Sequence, residues 1–80
     1  MDEIDEKLFA LLEGIWTGEE KEEARSFYDV GEPEITTYCA YNALRKRNIN
    51  VPQPLGRDLY KALDFADIEG DPYYEALNQE

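Results

Sequence analysis

The chain reads as an all-α protein, a compact bundle of four to five short helices forming one acidic domain over residues 1–80. Three observations predict this. Apolar residues recur at helical spacing in three separate stretches, helix-start signals precede the helical stretches, and glycine or asparagine turns follow them. A domain of this size builds only a small core, so most of its large apolar side chains have to be buried.

The first stretch, Asp2 to Trp16, carries Ile4, Leu8, Leu11, Leu12, Ile15 and Trp16 at i, i+4, i+7, i+8, i+11 and i+12, the strongest helical periodicity in the chain. Asp2 can cap it, and Glu3, Asp5 and Glu6 complement the positive end of the helix dipole. Phe9 sits at the margin of the stripe. Thr17 followed three residues later by Glu20 is a capping box, which starts a second helix near Gly18 and carries it to about Asp29, with Ala24, Phe27 and Tyr28 as its apolar patch. A continuous helix from Asp2 to Asp29 competes with this reading, weakened by Gly14 and Gly18 at about 1 kcal/mol each.

Gly31 breaks the chain before Glu32-Pro33, and Pro33 suits the first turn of a third helix. The run EPEITTYCAYNALRKR, Glu32 to Arg47, contains no later breaker until Asn48-Ile49-Asn50. Ile35, Cys39, Ala40, Ala43 and Leu44 fall on one side of that helix, small enough for a neighbour to approach closely. The other side carries Tyr38, Tyr41, Asn42 and Arg45 at i, i+3, i+4 and i+7. Tyrosine and arginine combine contact area with directional polar ends, so this stripe is a candidate binding surface. A second layer of helices covering the tyrosines is the competing reading. After the proline-stiffened connector VPQPLG, Leu55, Leu59, Ala62, Leu63 and Ala66 mark a fourth helix, with Gly70 its terminator. Asp71-Pro72 then reads as N-cap and N1 of a short last helix holding Tyr73, Tyr74, Ala76 and Leu77. The stripes place Leu8, Leu12, Ile35, Leu44, Leu59 and Leu63 in one core.

Composition narrows the function classes. Nineteen Asp and Glu against eight Lys and Arg give a net charge of −11, without a histidine. Binding duplex nucleic acid normally relies on a surplus of cations, so no direct nucleic-acid binding is expected of the whole molecule, and basic protein surfaces are the better partners. The charge is segregated: residues 1–34 carry net −9, residues 35–61 net +4, and residues 62–80 net −6. Internal matching between the acidic ends and Arg45-Lys46-Arg47, Arg57 and Lys61 accounts for part of this and leaves a large negative surplus.

One cysteine, Cys39, makes no internal disulfide, and with no signal peptide and no membrane-length apolar run the expected compartment is the cytoplasm. Cys39 lies on the expected core face without a histidine to activate it, so no catalytic residue is assigned. Asp64, Asp67, Glu69 and Asp71 suggest a cation site, but a calcium-loop register starting at Asp67 puts Pro72 where the turn glycine belongs and Asn78 where the bidentate glutamate belongs, so neither metal nor cofactor is expected.

The segment TYCAYNALRKRNINVPQPLGRDLYKALDF resembles the helix, extended connector and second helix of winged-helix and helix-turn-helix modules, with Leu55-Gly56-Arg57 opening the recognition helix. That resemblance implies phosphate contacts from Arg45, Arg47, Arg57 and Lys61, in a small DNA-binding accessory protein. The acidic run supports a different expectation. Glu19, Glu20, Glu22 and Glu23 place four carboxylates within about 6 Å of helix rise. With Glu13, Asp29, Glu32 and Glu34 they form a patch suited to a groove built for nucleic acid. The leading expectation is a non-enzymatic inhibitor of a basic, nucleic-acid-handling protein, of the kind phages and mobile elements direct against bacterial defence systems, anti-CRISPR or anti-restriction in type. An immunity or antitoxin-like inhibitor of a toxic nuclease would use the same surface.

Overall fold

Pro33 opens the helix on which the others are assembled. In the computed structural model, which describes residues 1–79, this helix, α3 (Pro33–Lys46), follows α1 (Glu3–Leu12) and α2 (Gly18–Asp29) and precedes α4 (Leu55–Ala62) and α5 (Pro72–Ala76), with a 3₁₀ turn at Asp64–Ala66. The protein is all-helical, with no strand among the described residues. Asn48, in the left-handed conformation with φ 53°, ends the long helix.

Helix α3 is buried on more than one side, so its two sequence stripes do not divide into core and solvent. Ala40, Ala43 and Leu44 face the core as their spacing predicts, but Thr36, Thr37 and Tyr41 are buried as well. Of the other two residues expected on the core face, Cys39 is half-buried against the core's edge, and Ile35, expected in the core, is only half-buried near the start of the helix. Helix α2 packs closely on α3 because both present small residues there, Ala24 and Ala40. The Thr36 hydroxyl donates to the Ala24 carbonyl at 2.7 Å, which satisfies a buried threonine without a side-chain partner. Leu8 and Leu12 of α1, Leu59 of α4 and Leu63 complete the core, each fully buried and each worth about 1.5–3 kcal/mol of transfer free energy.

Two helices are shorter than their periodicity. Helix α1 stops at Leu12 because Gly14 takes φ +78°, which only glycine adopts without strain, and the chain turns before α2. Trp16 is still buried, reaching the core from the turn and packing edge-on against Phe9 at 4.8 Å, while Ile15 is left exposed. Helix α4 ends at Ala62, and the continuing apolar pattern to Ala66 is met by the 3₁₀ turn. The separation of α1 from α2 rules out one continuous helix from Asp2 to Asp29.

The connector is fixed by one side chain. Gln53 donates from Nε2 to the carbonyls of Leu77 and Gln79, both at 2.8 Å, and accepts from the Arg57 N–H at 3.0 Å. This joins the start of α4 to the end of the chain. A Cβ at Gly56 would lie 2.6 Å from the Leu77 carbonyl oxygen, so only glycine permits that approach.

Candidate protein-binding surface

The register of α2 is set at its first turn. Thr17 Oγ1 accepts from the Glu20 N–H at 3.1 Å and Glu20 Oε1 accepts from the Thr17 N–H at 2.9 Å, the reciprocal capping box expected from the sequence. With that start and Ala24 buried against α3, Glu19, Glu22, Glu23 and Asp29 fall with Ser26 on one outward stripe about 15 Å long. All four carboxylates are exposed, and none makes an ion pair among the described residues. Past the Gly31 turn, exposed Glu32 and Glu34 continue the acidic surface into the first turn of α3. Glu13, at the end of α1, is exposed and ion-paired with Lys21 at 3.3 Å.

Glu20 leaves this stripe. Its carboxylate receives both Arg47 guanidinium arms, Nη2 to Oε1 at 2.5 Å and Nη1 to Oε2 at 3.1 Å, and clasps the start of α2 to the end of α3. The Arg47 bonds first, and then the Thr17 N–H, hold its pKa down to about 2. The four glutamates of the run from Glu19 to Glu23 are therefore three outward charges and one internal tie.

The tyrosine stripe is corrected further. Tyr41 is 1% exposed and cannot serve as a surface anchor, because α3 is covered on that side by α5. Its ring lies between Tyr73 at 5.7 Å and Tyr74 at 6.3 Å. Desolvation first, and then the charge of Asp71, push its pKa up to about 12. Tyr38 stacks on Tyr41 at 6.1 Å and is half-buried, and Asn42 is exposed. Arg45 Nε donates to Asp71 Oδ2 at 2.6 Å while Asp71 Oδ1 accepts from the Tyr73 N–H at 2.9 Å. One aspartate thus caps α5 and holds it to α3. The Asp71-Pro72 signal revealed the cap, but nothing local revealed that its second oxygen would meet Arg45.

Of the cations assigned to phosphate contacts by the helix-turn-helix resemblance, Arg45 and Arg47 are engaged internally by Asp71 and Glu20, and Lys61 is exposed. Cys39 is half-buried, its thiol pKa raised by desolvation and then by the charge of Glu23. Among the described residues no three potential metal ligands gather, Asp64, Asp67, Glu69 and Asp71 included, and no helix is long and apolar enough to cross a membrane.

The chain matches no protein-family model, no curated protein and no solved structure.

Proposed function

We propose that this protein is a non-enzymatic inhibitor that covers a basic, nucleic-acid-binding surface of a protein partner. The observation that carries the reading is the outward stripe of α2, where Glu19, Glu22, Glu23 and Asp29 stand exposed on a capped helix and without ion pairs among the described residues. Four charges spanning about 15 Å have a mean spacing of about 5 Å, nearer to the roughly 3.4 Å axial spacing of phosphates along one DNA strand than to the roughly 1.7 Å of a duplex. A surface adapted to a single strand's phosphates is therefore the better fit. A phage or mobile-element inhibitor of a bacterial defence nuclease is the setting that size and charge favour. The internal engagement of Arg45 and Arg47 weighs against the DNA-binding alternative, since cations already paired release fewer counterions.

The test is capture of a partner on the immobilised protein, followed by competition between single-stranded or duplex nucleic acid and this chain for the purified partner. Mutual exclusion, lost when Glu19, Glu22, Glu23 and Asp29 are changed to Lys while the helical circular-dichroism signal persists, is the expected result. Simultaneous binding of nucleic acid and this chain would defeat the reading. Association should also slow as salt rises, because exposed charges are screened beyond about 10 Å at 0.1 M.

A further inference from the structure

Helices α1 and α2 each pack against α3 but touch one another little, which leaves a valley between them. On the α1 wall Glu6, Phe9, Ala10 and Glu13 stand at i, i+3, i+4 and i+7, so an apolar pair is bracketed by two carboxylates. Lys21 and Arg25 form the α2 wall, and together these side chains border an open hollow of about 520 Å³. Phe9 is half-buried because its inner edge rests on Trp16, while Ala10 is exposed. On the α2 helix, Arg25 lies three residues from Glu22 and four from Asp29, which makes the acidic stripe the valley's outer rim.

We infer that this valley is an anchor pocket for an apolar side chain carried on a basic, amphipathic helix of the partner, an inference that rests on the acidic-surface reading above. The charge around it specifies the occupant. Residues 1–34 carry net −9, Glu6 and Glu13 flank the apolar floor at its two ends, and Glu22 and Asp29 stand beside Arg25 on α2, outside the hollow itself. Lys21 and Glu13 neutralise one another at 3.3 Å, which leaves Glu6 in the wall and Glu22 and Asp29 on the rim as the attracting carboxylates. Arg25 is the exposed cation of the rim, so the docked helix carries a neutral or acidic residue opposite it and basic residues elsewhere. Long-range charge delivers such a helix, and insertion of one apolar side chain beside Phe9 and over Ala10 slows its departure.

The experiment uses two probes at low salt: a helical peptide of leucine and lysine in amphipathic spacing, and poly-lysine, which has no apolar anchor. Binding is followed to the wild-type chain, to Ala10→Glu and to Ala10→Gln. Glutamate and glutamine suit an exposed helix position and fill the hollow, the first adding a negative charge and the second none. Attraction by charge alone makes A10E bind both probes as tightly as wild type or more so. An anchor pocket makes A10E and A10Q both bind the amphipathic helix about tenfold more weakly or worse, with poly-lysine binding undiminished. Undiminished binding of the helix to either variant, or equal weakening of both probes, would overturn the anchor and leave the acidic-surface reading standing. Failure of both probes to bind the wild-type chain would defeat that reading, and the anchor with it.

Discussion

Asp5 and Glu20 each tie a helix to α3, Asp5 from α1 and Glu20 from α2, and their surroundings shift them in opposite directions. Asp5 is fully buried: Oδ1 accepts from the Thr37 hydroxyl at 2.6 Å, while Oδ2 has no hydrogen-bond partner among the described residues. Desolvation raises its pKa against the lowering effect of the Thr37 bond. Asp2 adds a further rise, which the chain's amino terminus opposes. Glu20 keeps water on part of its surface and receives a guanidinium in bidentate fashion. One hydroxyl does not compensate a carboxylate for burial, whereas a cation with two aligned donors does.

Their stability contributions run oppositely with pH. Asp5 binds its proton more readily in the folded chain, so its contribution is full below its unfolded value near 3.8 and is lost as pH rises through the raised pKa. Glu20 contributes fully above its unfolded value near 4.5 and loses that contribution as pH falls toward about 2. The hydrogen bonds around Asp5 fit the protonated form. Thr37 Oγ1 lies 2.6 Å from Asp5 Oδ1 and 3.2 Å from the Pro33 carbonyl, and its single hydrogen serves only one of them. A protonated Asp5 donates to Thr37, which then donates to Pro33.

The sharpest way to break the comparison is to remove apolar burial from the α1 side. Leu12→Ala should cost about 2–5 kcal/mol in urea denaturation, while α2, whose only buried residue is Ala24, offers no leucine of equal weight. Next comes Thr37→Val, which leaves the Asp5 carboxylate buried without a donor. It should cost about 1–3 kcal/mol near neutral pH and raise the Asp5 titration midpoint seen by carboxyl NMR. On the α2 side Thr17→Ala removes the hydroxyl that accepts from the Glu20 N–H, with an expected loss of about 1 kcal/mol, while Arg47 and the Thr17 backbone N–H still hold the Glu20 midpoint low. The smallest change in free energy is Asp5→Asn, which mimics the protonated acid. It should leave acid stability almost unchanged, raise stability near pH 7, and flatten the dependence between those conditions; an unchanged pH profile would show that Asp5 does not carry it.

What could be read from the sequence follows the range of the interactions. The capping box, the Pro33 start, the Asp71-Pro72 cap and five of six core residues depend on spacing within a few turns, and the structure places them as expected. Burial of Tyr41 was anticipated by the reading in which a second layer of helices covers the tyrosines, but burial of Thr37 was not legible, because a helix at the centre of a small bundle is covered on several sides and its polar and apolar stripes cease to mark solvent and core. The Glu20–Arg47 and Arg45–Asp71 pairs join residues 27 and 26 positions apart. Charge segregation predicted internal matching of acidic ends with a basic middle, but not which cation meets which carboxylate.

Helix α5 spans five residues, too few to hold a helical turn unaided in water. It persists because Tyr74 donates to the Tyr60 carbonyl at 2.7 Å with the two rings stacked at 4.4 Å, and because the Tyr73 hydroxyl donates to the carbonyl of Ile49. Its amides therefore have no opening of their own that leaves the connector in place. In a deuterium-exchange experiment α5 and the segment from Ile49 to Gln53 should lose protection together, at one free energy below that of global unfolding, as a single cooperative flap of the molecule.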